Sequence, residues 1–260
     1  IVSFHSNLSL MFKEKGFYGF IIRLISTKLS NFANGVIGVS NGIVKELAEY
    51  SVKKNKLKAI HNPIDIEKIL ELSKEPINQD EKKFFTKKPT MIAVGRFVTA
   101  KNYPLLIKAF HKVLQKIDCR LVILGGGQKM DEIKKLCKSL NIQNSVSFLG
   151  WKKNPYKYLK KSSIYISSSL WEGFPNSILE AMACSLPVIA TDCPHGVSEI
   201  ITKNSFDGIL VPVNDADSLY RSMLSLIKDK NKANTIAKNG RKRVEAFSKQ
   251  IAIQKYIDYI

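Results

Sequence analysis

Between Pro89 and Lys228, apolar runs alternate with stretches of helical spacing. MIAVG (91–95), RLVILG (120–125), SVSFLG (145–150), IYISSS (164–169), PVIAT (187–191) and GILV (208–211) read as strands. They are apolar almost throughout, which suits strands buried on both faces. Between them, residues 105–116, 130–140, 154–161, 176–185, 197–201 and 216–228 carry the helical period. Such a repeat predicts a parallel sheet covered on both faces, an α/β domain whose ligands lie at the carboxyl ends of its strands.

Upstream the pattern is sparser. Val36, Ile37 and Val39 read as a short buried strand. A helix follows from Gly42, with Ser40 or Asn41 as its cap. LKAIHNPID gives another strand, stopped at Asn62-Pro63. Within 13–32, Phe17, Phe20, Ile21, Leu24, Ile25, Leu29 and Phe32 fall at helical spacing among Lys13, Lys15, Arg23 and Lys28. The favoured reading places this stripe in the core; the alternative lays a basic amphipathic helix on a membrane. Residues 66–89 are polar, rich in Lys and Glu, and read as an interdomain linker. The closing RVEAFSKQIAIQKYIDYI reads as a helix offering Phe247, Ile251, Ile253 and Tyr256 for packing.

Composition narrows the class. At 260 residues, 45% of them hydrophobic, the chain has the size and make-up of two globular domains or one and a half, which excludes disorder, collagen and coiled coil. The apolar run Phe17–Ile22 is far short of the roughly 20 residues a spanning helix needs, and the order of a signal peptide is not seen. The chain opens on IVSFHS rather than Met, as a strand already under way, so a preceding N-terminal part is expected. The formal charge of +19 favours anionic partners. Only six of the 41 basic residues are Arg, however, and the surplus is spread along the chain. This is a Lys-rich solvated surface rather than the Arg-led pattern of base readers. Cys119, Cys137, Cys184 and Cys193 are scattered, without metal-ligand spacing, and fit a reducing cytoplasmic setting.

Three loops at predicted strand ends carry chemistry. Gly95-Arg96 with Lys101 offers two cations to a diphosphate. Gly125-Gly126-Gly127 fails the dinucleotide fingerprint, since Met130 stands at the third glycine position; the glycines serve a tight turn or the approach of a ligand. SSSLWEGFPNSILE (167–180) runs from a strand end through an acidic loop into a helix near Asn176. Its first-turn amides form an anion site. Glu180, one turn in, suits a vicinal diol, and Glu172 a second polyol. Without a ligand, Glu180 is an acid favoured by the helix dipole and Glu172 is exposed.

Those strings, AVGRFVTAKNYPLLIKAF, LVILGGG, VSFLGW, SSSLWEGFPNSILEAMACSLPVIATDCPHGVSEII and GILVPVNDADSL, are together similar to the retaining nucleotide-sugar glycosyltransferases of family 4. That family has the GT-B architecture of two Rossmann-like domains. The most specific element is the Glu-x7-Glu pair, Glu172 and Glu180. The resemblance implies that Arg96 and Lys101 bind the donor diphosphate and Glu180 the ribose. Glu172 would contact the sugar and steady developing positive charge. Phe174, Asn176 and Ser177 would offer backbone amides, and Gly150 and Trp151 would lie near the nucleobase. His5 falls where the family often carries a functional His, and a structural role stays open for it; His195 reads as a supporting residue. The implied division is 1–65 as a remnant of the acceptor-side domain, 66–89 as linker, 90–240 as the donor domain and 241–260 as a helix returning to the first domain. A full acceptor-side domain calls for roughly a hundred residues before Ile1.

The implied activity is transfer of a sugar, UDP-linked by preference, to a polysaccharide or lipid-linked acceptor with retention, without metal or other cofactor. An anionic membrane surface is expected as a partner, with the protein at the inner face of the cytoplasmic membrane, and nucleic acid is not. Three rivals stay open: a GT-B sugar-nucleotide epimerase, a Lys-rich nucleic-acid-binding module, and an inert donor-domain fragment that only binds.

Overall fold

The computed structural model describes residues 1–6, 8–13, 16–85, 88–202 and 204–260. The first elements are β1 (Val2–Phe4), α1 (Leu8–Lys13), α2 (Gly16–Ser30), β2 (Val36–Gly38), α3 (Asn41–Glu49), β3 (Leu57–Ala59) and α4 (Ile66–Leu72). Then come β4 (Thr90–Val94), α5 (Tyr103–Leu114), β5 (Arg120–Leu124), α6 (Met130–Ser139), β6 (Val146–Gly150), α7 (Tyr156–Lys161), β7 (Ile164–Ser167), α8 (Asn176–Ala183), β8 (Val188–Thr191), α9 (Val197–Ile200) and β9 (Ile209–Val211). The chain closes with α10 (Ala216–Lys228), α11 (Lys230–Arg243) and α12 (Lys249–Ile257). Strands β1–β2–β3 form a small parallel sheet; β6–β5–β4–β7–β8–β9 form a larger one, parallel throughout.

The continuous apolar strands are explained by the layers. Met91, Ala93, Leu121, Ile123, Ile164, Ile166 and Ile189 point into a core shared with α5, α6 and α10. Their neighbours Ile92, Val122, Tyr165, Val188 and Ala190 point to the other face, under α7 and α8. Successive residues therefore leave water in opposite directions, and neither face tolerates a polar alternation. The second core does not stop at the large sheet. It runs on through Val36, Val39, Ile43, Leu47 and Ile64 of the first 65 residues, so the two sheets share buried apolar contact.

Two sequence expectations change and a third is filled out. First, in the 13–32 stretch Lys13 ends α1 and residues 16–30 form α2, with Glu14 and Lys15 outside the described residues. Its stripe is not core: Phe17 is 78% exposed, Ile25 53% and Leu29 60%, with Phe32 just beyond α2 at 86%. The buried positions of α2 are Gly19, Thr27 and Ser30. Thr27 and Ser30 return their hydroxyls to the carbonyls of Arg23 and Ser26, so small side chains can face inward without leaving polar groups unpaired. The apolar stripe is left facing solvent.

Second, the polar stretch after Asp65 contains α4 and a 3-10 segment at Gln79–Phe84, with residues 86 and 87 outside the described residues; a linker role does not exclude these elements. Third, the closing helix is broken. A 3-10 turn at Val244–Phe247 and the extended Ser248 precede α12, because the backbone at Phe247–Lys249 pairs with Ile64: the Ile64 amide donates to Phe247 O and the Lys249 amide to Ile64 O, both at 3.0 Å. Phe247 is buried, whereas Ile251 and Ile253 are exposed and Ala252 faces inward.

The chain end crosses back onto the small sheet. Tyr259 packs over Gly35, accepts from the Val36 amide at 3.0 Å, and donates to Lys56 O. Among the described residues, no helix is long and apolar enough to cross a membrane. Tyr259→Phe should cost about 1–2 kcal/mol of unfolding free energy, since both bonds go while the ring stays. A lower urea midpoint at unchanged slope is the expected reading; an unchanged midpoint would mean the chain end is not part of the cooperative fold.

Candidate functional site

The large sheet places β4 beside β7 at its centre. The chain winds outward from β4 through β5 to β6, then returns to β7 and winds the other way. Loops leaving β4 and β7 therefore part toward opposite faces, and a crevice opens at their carboxyl ends. The loop after β4 carries Arg96 and Lys101; the loop after β7 carries Ser168–Glu172.

These loops are laced together. The Leu170 amide donates to Ala100 O at 2.7 Å, and Ser168 Oγ to Lys101 O at 2.8 Å. Lys101 Nζ lies 2.6 Å from Glu172 Oε1, which also accepts from Ser169 Oγ at 2.6 Å. Arg96 is exposed in the same loop. The remaining free volume under Lys101, Tyr103 and Ser167–Ser169 is about 10 Å³, about one water's worth. The triple glycine serves packing more than ligand approach. A Cβ on Gly125, at φ +138°, would fall 2.0 Å from Gly95 O, and one on Gly127 would strike Phe97. Gly126 alone faces open space.

Helix α8 starts at Asn176 after Pro175, with no side-chain cap. Its first-turn amides and its Glu180 face the same end of the sheet, which is why a helix following a parallel strand can hold an anion. Burial pushes the Glu180 carboxyl above its usual range, only partly offset by the Tyr156 hydroxyl at 3.4 Å. Burial, with Glu180 beside it, pushes Tyr156 up to about 12. Ser177 Oγ accepts from Tyr165. Tyr156 also lines a cavity of about 660 Å³ with Lys152, Asn154 and Lys157. Gly150, at φ +68°, turns the chain into the 76% exposed Trp151, and Lys152 is fixed by Glu81, 2.6 Å away.

The loop at 172–176 is also gripped by the first 65 residues. A Cβ on Gly173 would lie 2.1 Å from His5 O. His5 thus meets the loop by its backbone, while its ring bonds Ser3 Oγ. His61 stacks on Phe174 with ring centroids 4.7 Å apart, and Asn62 donates to Asn176 at 3.0 Å. His61 Nε2 is 2.9 Å from Glu199, which also accepts the Asn41 and Gly42 amides at the start of α3. Burial disfavours the Glu199 charge, yet His61 and these amides overcome it and hold the carboxyl at about 2. His195 Nε2 lies 3.4 Å from the buried Glu46, which takes the Leu8 and Ser9 amides.

Of the residues singled out from sequence, Lys101 and Glu172 are in direct contact, and Phe174, Asn176, Ser177 and Glu180 share α8 and its approach. Sequence reasoning missed His61, Asn62, Glu199, Glu46 and Glu81. HNPID and HGVSEI hold most of them, but 138 positions separate His61 from Glu199, and no local spacing links them. Among the described residues, no cluster of His, Cys, Asp and Glu could hold a metal, and all four cysteines are buried thiols.

The sequence model of the glycosyl transferases group 1 family matches residues 74–243. The chain belongs to this family. An uncharacterized glycosyltransferase of Methanocaldococcus jannaschii is 38% identical over 191 residues, covering 72% of this chain and 47% of that protein. The Campylobacter jejuni N-acetylgalactosamine-N,N'-diacetylbacillosaminyl-diphospho-undecaprenol 4-alpha-N-acetylgalactosaminyltransferase is 30% identical over 253 residues, 97% of this chain and 67% of that one. The chain thus spans about half of the first relative and two thirds of the second. In three dimensions it superposes on Anabaena HepE in complex with UDP-glucose with a TM-score of 0.86 at 22% identity, covering 99% of this chain and 71% of HepE. The α/β fold is of the GT-B type.

The Glu199 geometry has a pH consequence. Its folded pKa lies below the ordinary value of 4.5, so the stability it contributes is complete above that value and is lost as pH falls toward 2. Glu199→Gln should lower the melting temperature at pH 7 and flatten its decline between about pH 5 and 2. Equal acid sensitivity in both proteins would show that the carboxylate is not stabilised at this junction.

Proposed function

We propose that the chain carries the donor half of a glycosyltransferase. The enzyme moves a sugar from a nucleotide-sugar, a UDP-sugar by preference, to a lipid-linked or polysaccharide acceptor with retention of configuration. The carrying observation is the placing of Lys101, Glu172 and the α8 amides with Glu180 at the reversal between β4 and β7. Two cations and a helix N-terminus suit a diphosphate, and a carboxylate on the loop with another on the helix that follows it suit polyols.

In this reading Arg96, Lys101 and the amides of Phe174, Asn176 and Ser177 take the charge that develops on the leaving diphosphate, so no metal is called for. Glu180 accepts the ribose hydroxyls. Glu172 accepts from the sugar and steadies positive charge at the anomeric carbon. The departing phosphate, rather than an enzymic base, takes the acceptor proton. Gly150 and Trp151 flank the nucleobase. His5, whose carbonyl meets Gly173, is assigned to the sugar side of the site. Residues 1–65 belong to the acceptor-side domain, 66–89 to the linker, 90–240 to the donor domain and 241–260 to the returning segment.

The named activity of the Campylobacter relative supports a lipid-linked acceptor. So does α2, which carries the exposed Lys28 beside its outward apolar stripe and no acid, while Arg23 lies over the Tyr50 ring. We propose that this face lies on an anionic bilayer at the cytoplasmic side.

Calorimetry with UDP and GDP tests the donor site. UDP should bind with a Kd on the order of micromolar to millimolar, and Glu180→Gln should weaken it at least about fivefold. The same substitution should raise the melting temperature of the ligand-free protein, because a carboxylate held charged against burial costs stability at neutral pH. Absence of nucleotide binding by the folded chain would sink the donor reading. Vesicles of phosphatidylglycerol should sediment the chain at low salt, and Phe20→Asp with Ile25→Asp should release it. Retention of the double variant on vesicles would remove α2 as the contact.

A further inference from the structure

We propose that the Lys101–Glu172 ion pair makes the site discriminate the donor from the nucleotide left after transfer. The inference rests on the donor reading above and adds a role for the pair itself. In the crevice these side chains neutralise each other at 2.6 Å, with exposures of only 22% and 13%. They come from opposite sides of the reversal, Lys101 after β4 and Glu172 after β7. A diphosphate that engages the Lys101 ammonium competes for it with Glu172, 2.6 Å away.

That exchange has unequal consequences for the two ligands. A diphosphate beside an unpaired carboxylate is repelled, and Glu172 is left with Ser169 as its hydrogen-bond donor. A complete donor brings sugar hydroxyls that replace the bond Lys101 withdrew. The free nucleoside diphosphate brings none. Glu172 therefore competes with both ligands for Lys101, and only the donor compensates the carboxylate for the bond it loses. A single ion pair thereby disfavours the product and assists its release. The carboxylate lowers affinity for one ligand as a condition of recognising the other, which is specificity by an opposing element.

The test is a double-mutant cycle read by calorimetry on the 260-residue chain, with UDP and with inorganic pyrophosphate as a base-free probe. Glu172→Gln should bind both at least about threefold more tightly than wild type, the scale of one partly exposed ion pair. Lys101→Met should weaken both. In the Lys101→Met background, Glu172→Gln should recover less than half of that gain on a logarithmic scale. Melting curves check each variant, and Glu172→Ala repeats the comparison should Gln perturb folding.

An equal gain in both backgrounds would mean plain repulsion of phosphate and overturns the exchange. So does UDP binding that Glu180→Gln weakens but Glu172→Gln leaves unchanged or weakens; that result keeps the donor site. Failure of wild type and Glu172→Gln alike to bind either probe overturns the donor reading and the exchange together.

Discussion

An open parallel sheet is covered by helices on both faces only where its winding reverses, and here that reversal falls between β4 and β7. The chemistry described above depends on it. Two loops that would otherwise cover neighbouring strands are sent to opposite faces, leaving backbone and side chains at the gap to close it. Lys101, Ser168, Ser169 and Glu172 do so by hydrogen bonds rather than apolar packing, because strand carboxyl ends and helix amino ends are polar by construction. A polar seam of this kind can be opened by a ligand that matches it; an apolar one would have to be rebuilt.

The second dependence is between the halves. Glu199 of α9 caps α3 across the junction, and Glu46 of α3 faces His195 in return. Each His–Glu pair joins one partner from before residue 66 to one from after residue 89. The same first-half strand end supplies His61 to Phe174 and Asn62 to Asn176. The loop bearing Glu172 is thus held by the large sheet on one side and by residues 5, 61 and 62 on the other. This is geometrically apt for a group that has to stay fixed while charge changes around it.

Much of the large sheet was legible because its signal is local. A strand apolar on both faces and followed by a helix is visible within twenty residues, and 216–228 matches α10 at both ends. The Glu172–Glu180 spacing was legible for the same reason. The contact between Lys101 and Glu172 was not, since it depends on which strand lies beside β4, and that is a property of winding order. The exposed stripe of α2 misled because helical periodicity reports that one face is apolar and not which way it points; Gly19, Thr27 and Ser30 decided that by fitting closer to their neighbours. The break at Ser248 was invisible because it is imposed by Ile64, far away in the chain.

The meeting of Gly173 with His5 also has a consequence for substitution. That contact is made by the main chain on both sides, so the two positions bear unequal constraints. The side chain at residue 5 can change while the contact survives, since only its carbonyl is used. At residue 173 even one added carbon would push the first half away from the donor loop. A single methyl group would act there as a wedge, altering the distance between the halves without touching any group that carries charge.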